Sequence, residues 1–357
     1  MSKKIKLTEE QIVKIEEHLR NGGTVRGAAR EVLGKESRES TIRYYIRKGI
    51  VDLGEEGENK CVSQTIEPVV VKSTLKSIFD IKKDVYKIET VTEVGEDVTH
   101  LMIPDTQCKP DIDMSYLEWL GDYIVDKRPE VIIHIGDHAD MPSLSSYDKG
   151  KGKAEGKRVQ KDIEASIEGM NRLLRPLKEL QDKQREETGK VQYKPKMLIC
   201  LGNHEERIMR HVNDNPELEG FLSYDNLRYK EMGWEVYDFL KPVVVNGVSY
   251  CHFMANPMTG KPYGGTAMNV LKNVGESFCM GHKQTLDVAT RFLPSSGTQQ
   301  WAIIAGAYYE HDEGYKGYQG NHHARCIVVQ HNVKNGSFNP MFVDLAYLKK
   351  RYSKKKV

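Results

Sequence analysis

Charge of either sign is scarcely in excess. In 357 residues, 53 Lys and Arg stand against 51 Asp and Glu, a formal net charge of +2. A balance so near neutral does not by itself point to nucleic acid, so only the distribution of charge can do so. No apolar run approaches the ~18 residues of a membrane span. The N-terminus, MSKKIKL, has no apolar core of signal-peptide length. A soluble, cytoplasmic protein with no membrane partner is the expectation. Cysteine is sparse and unpatterned: none of Cys61, Cys108, Cys200, Cys251, Cys279 and Cys326 forms a CxxC pair. Four of them lie in apolar, strand-like runs, so reduced, buried thiols are expected rather than zinc thiolates. There is no internal repeat. What is present is 39% hydrophobic residues, enough for a substantial core and against wholesale disorder.

Residues 7–49 read as three short helices. Ile12, Ile15 and Leu19 recur at helical spacing behind Thr8, a candidate N-cap followed by acidic residues. Asn21-Gly22-Gly23 breaks that helix, Thr24 caps a second that ends at Gly34, and RESTIRYYIRKG forms a third closed by Gly49. Residues 51–97 contain a polar break and clusters of β-branched residues, which suit a linker or a small β element.

From Thr99 the pattern becomes strand–helix alternation. HLMIP, VIIHIG, KMLICLG, VVVNGVSYCHF, SFCMG and WAIIAG are short β-rich apolar runs, most of them ending directly in polar residues, with ARCIVVQHNV and PMFVDL as late strands. Strands that end in functional loops are the layout of an α/β protein with its site at the strand C-termini. Between Ser143 and Lys196 lies an insertion. Its first part, KGKGKAEGKRVQK, is a basic loop. Its second sets Ile163, Ile167, Met170, Leu173, Leu174, Leu177 and Leu180 on one face of a long helix, with Pro176 a candidate kink. That stripe is core packing.

Five polar motifs follow these strands in order: Asp105-Thr106-Gln107; Gly136-Asp137-His138-Ala139-Asp140; Gly202-Asn203-His204-Glu205; His252 within VSYCHF; and Gly281-His282-Lys283-Gln284. Each delivers one or two oxygen or imidazole ligands at a strand end. A carboxylate such as Asp137 can bridge two cations, which at about 3.5–4 Å apart hold a phosphate and a hydroxide between them. Any one motif is weak evidence, since a lone His in a strand is more often a satisfied core residue. Five in order are much stronger.

In these motifs the sequence resembles the calcineurin-like metallophosphoesterase superfamily, whose pattern is DxH, GDxxD, GNHE, a lone His and GHxH, over about residues 98–345. The resemblance implies a two-sheet α/β sandwich flanked by helices, residues 98–348, with two divalent metal ions between the strand ends. It further implies that Asp105, Gln107, Asp137 and Gln284 surround the first metal, and Asp137, Asn203, His252 and His282 the second. His204 would protonate the leaving oxygen and Asp140 would orient it. Two positions depart from the pattern: DxH reads DxQ, and GHxH reads GHxQ. Both lost histidines belong to the same metal position. An all-oxygen first site would favour Mg²⁺ or Mn²⁺, and the histidine-bearing second site Mn²⁺, Fe²⁺ or Zn²⁺. A first site too weak to fill is the alternative. His138, Arg207, His322 and His323 are further candidates for substrate contact, against the plainer reading of polar loop or helix-surface residues.

Residues 1–50 hold twelve Lys and Arg against seven Glu and no Asp, a local balance of +5. GGTVRGAAREVLGKESRESTIRYYIRKG resembles the helix-turn-helix of recombinases and transposases. That resemblance implies a small all-α DNA-binding module over residues 1–50. Arg38, Ser40, Thr41, Arg43, Tyr44 and Arg47 would face bases and phosphates. The alternative is a three-helix docking module, and residues 349–357 form a basic tail. Together these expectations describe a metal-dependent phosphoesterase, a nuclease acting on DNA through a hydroxide activated by two metals. A phosphomonoesterase, protein phosphatase or small-nucleotide phosphodiesterase is the first alternative. A DNA-binding protein with a weakened metal site is the second. A helix-turn-helix fused to a metallophosphoesterase looks like a bacteriophage arrangement, which would place the protein in the host cytoplasm.

Overall fold

A computed structural model describes residues 7–34, 39–47, 51, 89–91, 98–147, 150–152, 155–313 and 316–353. The chain divides into two compact units, Met1–Lys82 and Lys83–Val357.

The first unit contains α1 (Glu9–Arg20), α2 (Val25–Leu33) and α3 (Glu39–Arg47). The Thr8 hydroxyl accepts the Gln11 N–H while the Gln11 side chain takes the Thr8 N–H, a reciprocal cap that satisfies two orphan donors. Thr24 caps α2 through the Gly27 N–H, and Gly34 ends it at φ 69°, a left-handed turn that favours glycine. Ile15, Val25, Ala28, Ala29, Leu33, Ile42 and Val51 bury their side chains together, the two alanines letting the helices approach closely. Arg43 is exposed and Thr41 half-buried. Ser40, Tyr44 and Arg47 lie on α3, but their side chains fall outside the described residues, as do Arg38, residues 52–88 and 92–97, and the last four residues of the basic tail.

The second unit is mixed α/β with two six-stranded sheets. One is built from β2 (Val98–Ile103), β3 (Val131–His134), β4 (Lys196–Cys200), β5 (Glu235–Tyr237), β11 (Cys326–Lys334) and β12 (Ser337–Asp344), in the order β12-β11-β2-β3-β4-β5. Strands β2 to β5 are parallel, and β11 and β12 add antiparallel at one edge. The other sheet has β1 (Glu89–Val91), β6 (Val243–Val245), β7 (Val248–Tyr250), β8 (Phe278–Met280), β9 (Asp287–Leu293) and β10 (Thr298–Ile304), in the order β1-β6-β7-β8-β10-β9, with β7, β8 and β10 parallel. The short β1, from the stretch expected as a linker or small β element, pairs with β6.

Period-2 alternation assigns each strand face. In β2 to β4, Met102, Ile133, Leu198 and Cys200 point one way and join Val243, Val248, Tyr250, Cys279 and Ile303 of the other sheet in one shared cluster. Their neighbours Leu101, Ile103, Ile132 and Ile199 point the other way, against α4 (Ser115–Lys127) and α5 (Val159–Thr188). Phe278, Met280, Ala302 and Ile304 turn their backs on the shared cluster and meet α7 (Ala267–Val274). Burying each such Ile, Leu or Phe contributes about 1.5–3 kcal/mol.

The long insertion helix α5 buries Ile163, Met170, Leu173, Leu174 and Leu177 and runs unbroken through Pro176. A Cβ on Gly121 of α4 would stand 2.4 Å from the Leu173 carbonyl oxygen and 3.0 Å from the Pro176 ring, so glycine sets the closeness of that crossing. Helices α6 (Glu206–Asp214), α8 (Gly317–Gly320) and α9 (Leu345–Tyr352) complete the nine α-helices among the described residues. Helix α9 takes up the start of the expected basic tail. Among the described residues no helix is long and apolar enough to cross a membrane, and the five described cysteines are free and buried.

Candidate metal centre

Every one of the five motifs leaves the C-terminal end of a strand. Asp105 follows β2, Asp137 β3, Asn203 β4 and His282 β8, while β7 stops at Tyr250 so that His252 also lies just beyond a strand. Backbone hydrogen bonds lace the loops together. Gln107 N–H donates to Asp137 O at 2.9 Å, Asp140 N–H to Cys108 O at 2.9 Å and Gly281 N–H to His252 O at 2.9 Å. Four non-glycine residues of the motifs are left-handed, Gln107 (φ 43°), Asp137 (φ 53°), His282 (φ 65°) and Gln284 (φ 55°). Such conformations cost energy for L-residues and persist where surrounding structure over-determines them.

Two glycines clear space for carboxylates. A Cβ on Gly202 would lie 2.1 Å from Asp137 Oδ1, and one on Gly281 would lie 2.4 Å from Asp105 Oδ1. Beneath them Glu205, fully buried, accepts the N–H groups of Asp137 (2.9 Å), Ala139 (2.8 Å) and Gly202 (2.9 Å), locking the Asp137 loop to the Asn203 loop.

Ligand atoms of Asp105, Asp137 and His252 lie within 4.8 Å of one another, a buried group able to hold a metal ion. His252 Nδ1 is 2.9 Å from Ile135 O, so it donates there and leaves Nε2 turned inward. That Nε2 is 3.3 Å from Asp137 Oδ2 and 2.8 Å from Asn203 Oδ1, and Asn203 Oδ1 is also 2.7 Å from His282 Nδ1. A carboxylate, an amide oxygen and two imidazole nitrogens thus converge on one place, a donor set suited to a divalent transition metal. Burial disfavours a charged His252, but Asp137 above all outweighs it and raises its pKa to about 9. A proton there holds the place a cation would take. His282, burdened by burial and by His252, falls to about 4, and its neutral ring donates from Nδ1 to Asn203 Oδ1.

The other half differs. Asp105 Oδ1 accepts the His282 N–H at 3.2 Å and Oδ2 accepts Gln284 Nε2 at 3.1 Å. Burial and then the Asp137 charge raise the Asp105 pKa. Gln107 is fully buried, and neither its amide oxygen nor its nitrogen finds a hydrogen-bond partner among the described residues. An unpaired buried amide costs roughly 1–3 kcal/mol, and a cation beside it would relieve that cost. Gln284 adjoins Asp105 as the motif spacing implies. It presents nitrogen to Asp105, however, and its oxygen accepts the Tyr309 hydroxyl at 2.8 Å.

His204 also meets Asp137: its backbone N–H donates to Asp137 Oδ1 at 2.9 Å, and its ring shares Oδ2 with His252. Its Nδ1 is 2.6 Å from Asp140 Oδ1 and its Nε2 3.7 Å from Asp137 Oδ2. Burial opposes the imidazolium, yet the two carboxylates outweigh burial and raise the His204 pKa. Burial likewise works against Asp140, but the His204 hydrogen bond and charge bring it down to about 2. Arg207 is no surface residue: it donates to Asp140 O at 2.8 Å, and its other nitrogen is 3.2 Å from His204 Nε2. Lys109 Nζ, which the motif spacing did not single out, lies 3.6 Å from Asp140 Oδ2 and 2.6 Å from Glu313.

His138 is fully buried, with Nδ1 2.8 Å from the Thr106 hydroxyl and Nε2 3.0 Å from Ser166 O. Both ring nitrogens are engaged by the protein, and burial lowers its pKa to about 4, so the ring braces the loop. His322 is exposed against the Tyr318 ring, and His323 packs on Tyr309 with ring centroids 5.0 Å apart. Neither has a contact to the Asp137 group. Tyr309, Lys109 and Glu205 are the neighbours that motif spacing missed; only Glu205 carried a signal, as the last residue of Gly202-Asn203-His204-Glu205.

No family model matches the chain. It is similar to the Gene 54 protein of Mycobacterium phage L5, 26% identical over 213 residues, which spans 58% of this chain and 77% of that protein. It is also similar to the Gene 54 protein of Mycobacterium phage D29, 24% identical over 218 residues with the same shares covered. A solved crystal structure aligns with 69% of this chain and 99% of its own at 12% identity and a TM-score of 0.29, too distant a likeness to bear on fold or function.

Proposed function

We propose that this chain is a phage-type, two-metal phosphoesterase of the calcineurin-like superfamily, a nuclease or phosphodiesterase acting on DNA in the host cytoplasm. In this reading the two facing sheets are the superfamily's sandwich and the three N-terminal helices a helix-turn-helix that delivers the enzyme to DNA. The observation that carries it is the position of Asp137. Its carboxylate groups with Asp105 and His252, and the Oδ2 that lies 3.3 Å from His252 Nε2 also lies 3.7 Å from Nε2 of His204, itself paired with Asp140, so a cation-binding group and a proton donor share one buried carboxylate. The orphaned Gln107 amide and the glycine clearances at Asp105 and Asp137 support a fit to two cations.

Two divalent cations, when bound, would supply an activated water and neutralise the charge that grows on the phosphoryl oxygens. Asp137 would bridge them, Asn203, His252 and His282 would hold the second, and Asp105 and Gln107 the first. His204, held at Nδ1 by Asp140, would carry a proton at Nε2 toward the leaving oxygen once Arg207, a donor-only group 3.2 Å from that nitrogen, turns to a phosphate oxygen.

A second reading has its own support. Gln284 gives Asp105 a hydrogen bond in place of a metal ligand, which suits a DNA-binding protein with a weakened metal site. The test is hydrolysis of plasmid DNA, single-stranded DNA, RNA, a small nucleotide and bis-p-nitrophenyl phosphate in Mg²⁺, Mn²⁺ and Zn²⁺. Cleavage of a polynucleotide in Mn²⁺ or Mg²⁺ is expected. DNA binding without turnover of any substrate would favour the second reading, and turnover of monoesters or small nucleotides alone would move the substrate class.

A further inference from the structure

Three hydrogen bonds run in series into the first metal position. Lys316 Nζ donates to the Tyr309 hydroxyl oxygen at 2.8 Å, the Tyr309 hydroxyl to Gln284 Oε1 at 2.8 Å, and Gln284 Nε2 to Asp105 Oδ2 at 3.1 Å. The series has one polarity from end to end. An ammonium has donors only, so the phenol oxygen accepts from it. The phenol proton then faces the Gln284 oxygen, and the amide NH₂ is left for the carboxylate. Turning the amide over would set its NH₂ against the Tyr309 hydroxyl, displace the phenol proton and strip Asp105 of a donor.

The pieces are held firmly. Tyr309 is fully buried and stacks on His311 with ring centroids 4.5 Å apart. Its chain neighbour Tyr308 donates its N–H to Asp105 O at 2.8 Å, so the segment after β10 is anchored to the residue whose carboxylate the series reaches. Gln107, the other glutamine of the position, contrasts at every point: its buried amide has no partner among the described residues.

We propose that Tyr309 and Lys316 are positioning residues that fix Gln284 as a hydrogen-bond donor to Asp105, so that the first cation is held by Asp105, Asp137 and Gln107 and not by Gln284. The two glutamines that stand where the family pattern has histidines thus divide the work. Gln107 is a ligand, and Gln284 orients a ligand. This rests on the two-metal reading for its cation, but the orientation of Gln284 belongs to the metal-free protein.

Two measurements on the full chain decide it. In metal-free protein, the Gln284 side-chain NH₂ resonances, assigned by their loss in Gln284→Leu, should be protected from solvent exchange. Tyr309→Phe should reduce that protection by about tenfold or more, and Lys316→Met, at the less buried end, should shift the same resonances with the fold unchanged. Unaltered resonances in both variants would overturn the series whether or not any metal binds. In Mn²⁺ titrations followed by electron paramagnetic resonance, Gln107→Leu should weaken the weaker site by about tenfold or more, in the range seen when metal-site partners are lost. Gln284→Leu should weaken that site as well, because it removes a partner that orients a ligand, but only Gln107→Leu should add a bound water to the Mn²⁺, counted by line broadening in ¹⁷O-enriched water. An added water in Gln284→Leu, or none in Gln107→Leu, would overturn the division of roles. Failure of the unsubstituted chain to bind Mn²⁺ would refute the metal reading while the resonance experiment still decides the series.

Discussion

Gly202 and Asp137 touch so closely that no side chain fits between them. A Cβ on Gly202 would lie 2.1 Å from Asp137 Oδ1 and 2.3 Å from the Asp137 backbone nitrogen. The Asp137 carboxylate therefore rests directly on the backbone of the next strand-end loop. Glu205, four residues after Leu201, ties the same two loops from below.

Gly202→Ala should accordingly displace Asp137. Overpacking of this kind typically costs about 1–3 kcal/mol, read as a lower melting temperature in chelator, and the displaced carboxylate should weaken Mn²⁺ binding by about tenfold or more. Calorimetric titration beside thermal melts checks both. Unchanged Mn²⁺ affinity would mean that Asp137 is not a ligand.

Asp137→Asn and His204→Ala should separate metal binding from proton transfer. The first removes the negative charge shared by both proposed cations, and hydrolysis of a chromogenic diester should disappear along with metal content. The second leaves Asp105, Asn203, His252 and His282 in place. It should keep metal content near that of the unsubstituted protein and slow turnover by about 10²–10⁴-fold, the usual worth of general acid–base catalysis. Metal analysis and kinetics on the same preparations distinguish them. Near-normal activity in Asp137→Asn would sink the assignment.

The strand runs and the residues at their ends were legible because both are local signals. A β-rich run needs no tertiary knowledge to be noticed, nor does the Asp, Asn or His that follows several of them, and all eight runs named became strands. The strands Glu235–Tyr237 and Asp287–Leu293 escaped, the first being three residues long and the second mixed in polarity along an edge. Tyr309 and Lys109 were illegible for another reason. They reach the site through the backbone path of β10 and the loop after β2, and nothing in the neighbouring sequence records which residue of such a loop turns inward. His138 stands between two site residues in its motif, yet the left-handed turns at Gly136 and Asp137 carry the chain so that its ring meets Thr106 and Ser166.

Deleting residues 1–50 should separate DNA affinity from chemistry. The positive excess of that segment predicts looser DNA binding and a shallower dependence of affinity on salt, because fewer phosphate contacts release counterions. Hydrolysis of bis-p-nitrophenyl phosphate should persist. Fluorescence anisotropy with a labelled duplex at several salt concentrations measures the first effect. Equal affinity and slope with and without the segment would reject a delivery role.

Metal removal should make stability depend on pH in a direction the buried charges fix. His252 has its pKa raised to about 9 and His204 is raised as well, in each case because the nearby carboxylates, Asp137 first, outweigh burial. A histidine with a raised folded-state pKa contributes stability that is fully present below its unfolded value, about 6.5. That contribution is lost as pH climbs through the folded value. Asp105 and Glu205, raised by burial and then by Asp137, act in the same sense, since they too hold protons more tightly when folded. Asp137 and Asp140 are lowered, with the histidines outweighing burial. Their contribution is present at neutral pH and fails only in acid. Metal-free protein should therefore weaken from about pH 6.5 upward, through about pH 9. A cation supplies the positive charge that the departing His252 proton takes away, and binding must release that proton where it is still held. Saturating Mn²⁺ at 100 times its dissociation constant would add about 2.7 kcal/mol by mass action. The melting-temperature gap between Mn²⁺-loaded and chelator-treated protein should widen from pH 6 to about pH 9. Titrations in buffers of different ionisation enthalpy should show proton release on binding at neutral pH. A gap that stays constant or narrows across this range would mean that the proton on His252 and the cation do not compete for one place.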